Sequence, residues 1–342
     1  MKNESLWAFL EKWAGRDRMR RDIAATVNAL ADAGRDIAAL VSDGPLAGEL
    51  AAATSENVQG EVQKFLDLHS NELLVAACKH APVAAIASEE LDHPVPIYDD
   101  GSLLVAVDPL DGSSNIDTNV SIGTIFSILP APDHVDASTH DAFLQKGRDQ
   151  LAAGYILYGP QTTLVMTLGE GTQMFTLDRR RGTFILTDRS MKIPERTREF
   201  AINSSNQRHW NEPTKRYIEE CIHGKEGARG EDTNMRWVGS LVADGHRILV
   251  RGGVYLYPAD KRKGYQEGRL RLIYESNPIG WVVEQAGGAV STGSENLLDL
   301  EPRVLHQRIP LVFGSKLEVE RIESHHILDE DVDTDEVEVA AE

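Results

Sequence analysis

Two carboxylates three residues apart, Asp108 and Asp111, flank Pro109 and Leu110 and run into Gly112-Ser113-Ser114-Asn115. The apolar run Leu103-Leu104-Val105-Ala106-Val107 leads into them, and Pro109 and Gly112 predict that this strand stops there and the backbone turns. A reversal at that point lets Asp108, Asp111 and the Leu110 carbonyl converge. Such hard oxygen donors suit Mg2+ or Mn2+, while Gly112 and the hydroxyls and amides of Ser113 and Ser114 can meet a phosphate. An isolated Asp-x-x-Asp-Gly string is more often an ordinary Asx turn. Glu89 and Glu90, which follow the apolar run Ala84–Ala87, weigh against that reading, because adjacent carboxylates repel unless solvated or bound to cations. Glu61 and Asp67 upstream and Glu275 just before Asn277-Pro278 extend the set. Together these residues predict a two- or three-metal phosphatase centre, in which cations polarise a phosphoryl group and acidify a bound water.

The elements that must position these groups are legible from periodicity. Ile23, Val27, Leu30, Ala33, Ile37 and Leu40 recur at helical spacing, and residues 6–50 predict two packed helices. A further helix is predicted over Val62–Cys78, and short strands over Ala84–Ala87 and Leu103–Val107. Strand-like segments follow at 124–129, 153–158, 162–168, 172–177 and 183–187, punctuated by glycine turns that predict antiparallel neighbours. Beyond Pro194 the pattern is mixed, with helices near 213–222, 239–249 and 280–286 and strands at 253–257 and 309–313. A boundary near residue 190 divides the expected domains: 1–190 for metal binding, 191–328 for sugar-phosphate binding and 329–342 as an acidic, disordered tail.

The 342 residues carry a formal charge of −19, of which the tail supplies eight carboxylates. Such a balance offers no footprint for nucleic acid or an anionic membrane, so an anionic substrate needs a local arginine pocket or bridging cations. Cys78 and Cys221 stand far apart, which predicts reduced thiols rather than a disulfide framework, and residues 1–22 lack an uninterrupted apolar core. These features predict a cytoplasmic protein.

The string Asp108-Pro-Leu-Asp-Gly-Ser-Ser-Asn-Ile-Asp117, followed by Gly123-Thr-Ile-Phe126 and preceded by Ser88-Glu89-Glu90, resembles the class 1 fructose-1,6-bisphosphatases. Asn57-Val-Gln-Gly60, Lys64-Phe-Leu-Asp67, Val238 to Asp244, Gly252 to Pro258 and Leu270 to Pro278 fall in the order of that family. The resemblance spans roughly residues 20–325. Asp-Pro-Leu-Asp-Gly is shared with the wider lithium-sensitive phosphatases, including inositol monophosphatase, but the C-terminal blocks resemble the fructose bisphosphatases specifically. The resemblance implies a layered α-β-α-β-α fold with two mixed sheets, a homotetramer, and two or three Mg2+ per subunit with Mn2+ as substitute. It implies metal ligation by Glu89, Glu90, Asp108, the Leu110 carbonyl, Asp111 and Glu275. By the same likeness Asp67 and Glu90 activate the attacking water, Glu61 occupies the place of a loop aspartate, and Ser113 and Ser114 meet the 1-phosphate. Asn203, Tyr257 and Arg269, with Arg236 from a neighbouring subunit, meet the far phosphate. The implied reaction is hydrolysis of fructose 1,6-bisphosphate to fructose 6-phosphate, in gluconeogenesis or the Calvin cycle.

Four positions depart from the family pattern: Arg269 replaces a lysine, Trp237 and Asn206 replace tyrosines, and Leu241 replaces a methionine. A lost hydroxyl removes a phosphate hydrogen bond, ~1.5 to 3 kcal/mol for a charged acceptor. This end of the site is therefore expected to bind less tightly and to admit sedoheptulose 1,7-bisphosphate. Gly15 to Arg21, Ser102-Leu103 and Pro130 lack the groups with which relatives hold AMP, so inhibition by AMP is expected to be weak or absent. The competing readings are an inositol-phosphatase-like enzyme and a sugar-phosphate sensor without turnover.

Overall fold

The computed structural model describes residues 4–44, 46 and 58–339, and within these the side chains of 58–64 and 328–339 fall outside the description. The chain opens with α1 (Leu6–Ala14) and α2 (Arg18–Asp43), each started by a side-chain cap, Ser5 and Asp17. Ile23, Val27, Leu30 and Ile37 are buried, as their spacing predicts. Gly34 lies among them because a Cβ there would meet Ile156 Cδ1 at 2.1 Å, so helix and sheet approach closely. The third helix, α3, spans Val58–Cys78.

These helices cover one face of an eight-stranded sheet in the order β2-β1-β3-β4-β5-β6-β7-β8. Its strands are β1 (Val83–Ser88), β2 (Val95–Pro96), β3 (Leu103–Asp111), β4 (Ile122–Pro130), β5 (Ala152–Tyr158), β6 (Thr162–Thr167), β7 (Thr172–Asp178) and β8 (Thr183–Met191). Only β1 and β3 pair in parallel; the other neighbours are antiparallel.

A second, five-stranded sheet runs β10-β9-β11-β15-β13. It comprises β9 (Glu199–Ala201), β10 (Asn234–Met235), β11 (Val254–Tyr257), β13 (Ala289–Ser291) and β15 (Leu311–Gly314), parallel across β10-β9-β11 and antiparallel beyond. Between the sheets lie α5 (Leu241–Arg251) and α6 (Asn277–Gln285), sharing a core with Ile125, Tyr155 and Val165 of the first sheet and Tyr255 and Phe313 of the second. On the outer face of the second sheet pack α4 (Glu212–His223) and α7 (Lys316–Val339). The layers are therefore α-β-α-β-α with two mixed sheets, as expected from the sequence. A two-stranded ribbon, β12 (Leu270–Arg271) with β14 (Arg308–Ile309), completes the strands.

The run predicted as one strand over 309–313 is two short strands, because Pro310 has no N–H to continue a ladder. The helix predicted from Gly239 begins at Leu241, since Asp244 holds the preceding loop open. The backbone of α7 continues to Val339, through most of the acidic tail.

Candidate active site

The strand that was expected to end at Val107 continues as β3 to Asp111 and carries a bulge. Asp108 pairs with Ile125 and Asp111 with Gly123, so three steps on β3 match two on β4. In a regular strand residues three apart face opposite sides; one extra residue restores the phase and brings both carboxylates to the same side. The irregular backbone is satisfied locally. Asp108 Oδ1 accepts from Leu110 N–H at 3.0 Å, and Thr124 Oγ1 donates to the Pro109 carbonyl at 2.8 Å. Gly112 follows at φ 77°, and a Cβ there would stand 2.8 Å from Ser240 Oγ, so both conformation and space demand glycine.

Glu89 leaves the end of β1 alongside β3, with its N–H donating to Val107 O at 3.0 Å. Glu275 comes from far along the chain, on a π-helical turn Leu272–Ser276 that runs into α6. Carboxylate oxygens of Glu89, Asp108 and Glu275 lie within 4.8 Å of one another, the only group of three such ligands among the described residues. Asp111 sits beside them, accepting from Val242 N–H at 2.9 Å and Ser240 Oγ at 3.2 Å at the start of α5. Asp108, Asp111 and Glu275 are each at most 7% exposed.

Burial without enough cationic compensation dominates the electrostatics. It pushes Asp108 well above the usual carboxylate range, aided by Glu89, Asp111 and Glu275. Burial and then Glu89 do the same to Glu275. Asp111 rises to about 7, again by burial, although hydrogen bonds from Val242 and Ser240 oppose it. Asp67 rises to about 7 through burial and the nearby Glu90 and Glu89, and its buried Oδ1 has no partner. Glu90 stands at the cleft rim, exposed on one side yet crowded enough to rise through desolvation and Glu89. The Arg271 guanidinium, 3.3 Å from Glu89, is the one cation hydrogen-bonded to this cluster among the described residues. Clustered oxygen donors with an unpartnered carboxylate oxygen beside them fit a site for hard divalent cations.

Each group holds its proton more tightly folded than unfolded, so its stabilising contribution is complete below about pH 4 and drains away as pH rises. The loss passes through about 7 for Asp67 and Asp111 and continues higher for Asp108 and Glu275. In EDTA the melting temperature is expected to fall between about pH 5 and 8, and millimolar Mg2+ to remove that slope. Melting at pH 8 that ignores Mg2+ would contradict cation binding here.

The carboxylates open into a cleft of about 440 Å³. Glu89, Glu90, Asp108, Leu110, Asp111, Gly112, Ser113, Ser114 and Glu275 line it, together with Asn203, Tyr257 and Arg269. All twelve were singled out from sequence. Asp67 is half-buried outside that lining, Arg236 is exposed and outside it, and the Glu61 side chain lies outside the described residues. A larger hollow of about 660 Å³ near the end of α2 has a mainly apolar lining, so chemistry rather than size selects the site.

Three contributors carried no assigned role in the sequence reading. Arg271 bonds Glu89 and, through its N–H, Glu275. The spacing Arg271 to Glu275 was visible, but not the π turn that brings them together. Trp237 stacks on Tyr255 at 5.6 Å, and with Tyr257 forms an aromatic part of the cleft wall. Asp244 accepts from Val238 N–H at 2.9 Å and Gly239 N–H at 3.0 Å, fixing the loop that presents Ser240 and Val242 to Asp111. Asp244→Ala is expected to lower turnover by roughly 10- to 100-fold and to raise the Mg2+ needed for half-activation, with Asp244→Asn milder. Mg2+ activation curves that superimpose on wild type would remove this role.

Two family models match consecutive parts of the chain: Fructose-1-6-bisphosphatase, N-terminal domain, over residues 8–189, and Fructose-1-6-bisphosphatase, C-terminal domain, over residues 193–327. The chain is similar to Fructose-1,6-bisphosphatase class 1 of Azorhizobium caulinodans, 56% identical over 330 residues that cover 95% of this chain and 100% of that protein. The protein of the same name from Rhizobium meliloti is 51% identical over 329 residues, 96% of this chain and 94% of that one. Among solved structures, Leishmania major fructose-1,6-bisphosphatase in holo form superposes with a TM-score of 0.85 at 32% identity, covering 95% of this chain and 99% of that chain.

Proposed function

We propose, from the premise that this chain belongs to the class 1 fructose-1,6-bisphosphatase family, that its carboxylate centre works with two or three Mg2+ ions, Mn2+ substituting. The enzyme is a fructose-bisphosphatase, releasing phosphate from fructose 1,6-bisphosphate. The observation that carries the metal reading is the meeting of Glu89, Asp108 and Glu275 within 4.8 Å at the head of the cleft.

Glu89, Glu90, Asp108, the Leu110 carbonyl, Asp111 and Glu275 are the proposed ligands. When bound, the cations supply charge neutralisation for the phosphoryl oxygens and the leaving alkoxide. The chain's own residues do the rest. Ser113 and Ser114, with the Gly112 backbone, hold the 1-phosphate against the carboxylates, and Asp67 and Glu90 orient a water and take its proton. A group that titrates at about 7, as Asp67 does, is matched to proton transfer near neutral pH. Glu61 assists from α3. Asn203, Tyr257 and Arg269 hold the far phosphate, with Arg236 reaching in from a neighbouring subunit of a homotetramer. The planar guanidinium of Arg269 can give two hydrogen bonds to one phosphate.

The finer assignments rest on the same reading. Residues 1–190 carry all the proposed metal ligands but Glu275, 191–328 carry Glu275 and the sugar-phosphate end, and 329–342 form an acidic tail. Among the described residues no helix is long and apolar enough to cross a membrane, and Cys78 and Cys221 are unpaired and buried. By analogy with the family, the proposal places the enzyme in the cytoplasm, in gluconeogenesis or the Calvin cycle, with no nucleic-acid or membrane partner. AMP is proposed to act weakly, because Arg20 is engaged by Glu170 at 3.0 Å and Ser102 donates to the Asp22 carboxylate at 2.7 Å.

Phosphate release across a Mg2+ titration tests the proposal, with sedoheptulose 1,7-bisphosphate, inositol 1-phosphate and AMP in parallel. Metal-dependent release from fructose 1,6-bisphosphate is expected, with sedoheptulose 1,7-bisphosphate slower by about 10- to 200-fold in kcat/KM, the usual span for one added carbon unit. Release that survives complete metal removal would overturn the metal reading, and silence toward the seven-carbon substrate would remove it as a second substrate.

A further inference from the structure

Arg269 enters the cleft from the end of the loop, residues 258–269, that joins β11 to β12. Its guanidinium carbon stands 4.7 Å from the centroid of the Tyr265 ring, which is outside the cleft lining. Arg262 lies over the same ring at 4.4 Å, but its charge is met by Asp260, whose two carboxylate oxygens are each 3.0 Å from Nε. Arg269 differs. Among the described residues no hydrogen bond or ion pair engages its guanidinium, and the aromatic ring is its contact. Tyr265 is half-buried and its backbone is tied down on both sides: its N–H donates to Arg262 O at 3.0 Å, and its carbonyl accepts from the N–H groups of Asp260 and Gly268, both at 3.1 Å. A Cβ on the buried Gly268 would stand 2.3 Å from the Ile309 carbonyl, so the chain between Tyr265 and Arg269 is pressed against β14. The ring is therefore held in a fixed place relative to Arg269.

We propose that Tyr265 is a positioning residue for Arg269, and through it a determinant of selectivity for substrates that carry a second, distal phosphate. This inference rests on the reading above that Arg269 meets the far phosphate. A guanidinium has two usable surfaces: its flat face takes an aromatic ring, and its edge carries the N–H donors. Stacking on Tyr265 uses the face and fixes the plane, while every donor and the full charge stay available to an anion. A carboxylate partner, as Asp260 is to Arg262, would hold the side chain but occupy the donors and neutralise the charge that a phosphate needs. Holding a long side chain in place beforehand also lowers the ordering cost of binding. The ammonium of a lysine has no plane to fix, so the aromatic partner at 265 and the arginine at 269 belong together.

The test measures kcat and KM for fructose 1,6-bisphosphate on the full chain in saturating Mg2+, as a double-mutant cycle. Tyr265→Leu, which keeps apolar bulk without a ring, is expected to raise KM about 3- to 20-fold and to hold kcat within roughly 2-fold, which also shows that the fold is intact. Tyr265→Met, equally without a ring, takes its place if the leucine variant does not fold. Tyr265→Phe keeps the stack and is expected to stay within about 2-fold of wild type in both constants. Arg269→Ala is expected to raise KM about 10- to 100-fold, and Tyr265→Leu to add nothing further in that background. An unchanged KM in Arg269→Ala would remove the far-phosphate reading and this inference with it. A KM raised by Arg269→Ala but not by Tyr265→Leu would leave that reading standing and overturn the positioning role alone. An equal rise from Tyr265→Leu in both backgrounds would overturn it too, since the ring would then act on the loop and not through Arg269.

Discussion

Asp108→Asn is expected to reduce Mg2+-dependent phosphate release by about 10³-fold or more, while making the metal-free protein more stable. The two effects share one cause. Asp108 is 4% exposed and surrounded by Glu89, Asp111 and Glu275, so its charge is unfavourable until a cation arrives. The amide keeps the shape and an oxygen that accepts from Leu110 N–H, but removes the charge that would bind a cation. Loss of several kcal/mol of electrostatic stabilisation in the transition state, at about 1.4 kcal/mol per decade, gives the size of the kinetic effect. Melting curves in EDTA at pH 8 should rise relative to wild type, and the gain on adding Mg2+ should shrink. A variant that loses activity and is also less stable in EDTA would point to a packing role instead.

Glu90→Gln separates proton transfer from folding, because Glu90 sits at the exposed rim of the cleft. Removal of a general base costs about 10²- to 10⁴-fold in kcat, and the loss is expected in kcat rather than in binding of fructose 1,6-bisphosphate. Its charge also helps to raise Asp67, which stands at about 7. With Glu90 neutral, Asp67 should fall toward the ordinary range, and the acidic limb of the residual pH–rate profile should move to lower pH. Near-normal turnover, or an acidic limb that stays in place while activity drops, would contradict the assigned pair.

Much of the cleft was readable in the chain because its residue types announce their chemistry. A carboxylate string ending in glycine and serines, adjacent glutamates after an apolar run and a late glutamate before Asn-Pro mark oxygen donors wherever the fold puts them. Periodicity carried the helices and most strands for a similar reason: a buried face repeats at 3.6 residues in a helix and at two in a strand. The reading failed where a local signal was overridden. Pro109 and Gly112 argue for a strand end, yet β3 continues to Asp111, with Thr124 satisfying the Pro109 carbonyl and Asp108 turning back onto Leu110.

By itself, the sequence determined the cluster of carboxylate types and the succession of helices and strands, since each depends on residue type and local period, while the layered arrangement came with the family resemblance. Only the tertiary structure decided which donors meet. Glu275 reaches Glu89 and Asp108 through a π-helical turn, Asp111 is steadied by α5, and Arg271 joins the ribbon end to the carboxylates. Asp244 shows the same limit, because a carboxylate five or six residues beyond its hydrogen-bond donors gives no linear sign that it shapes a loop against another sheet. Such contacts arise from packing two sheets around a shared helical layer, and their separation along the chain, 129 positions from Asp111 to Ser240, leaves no local pattern to read.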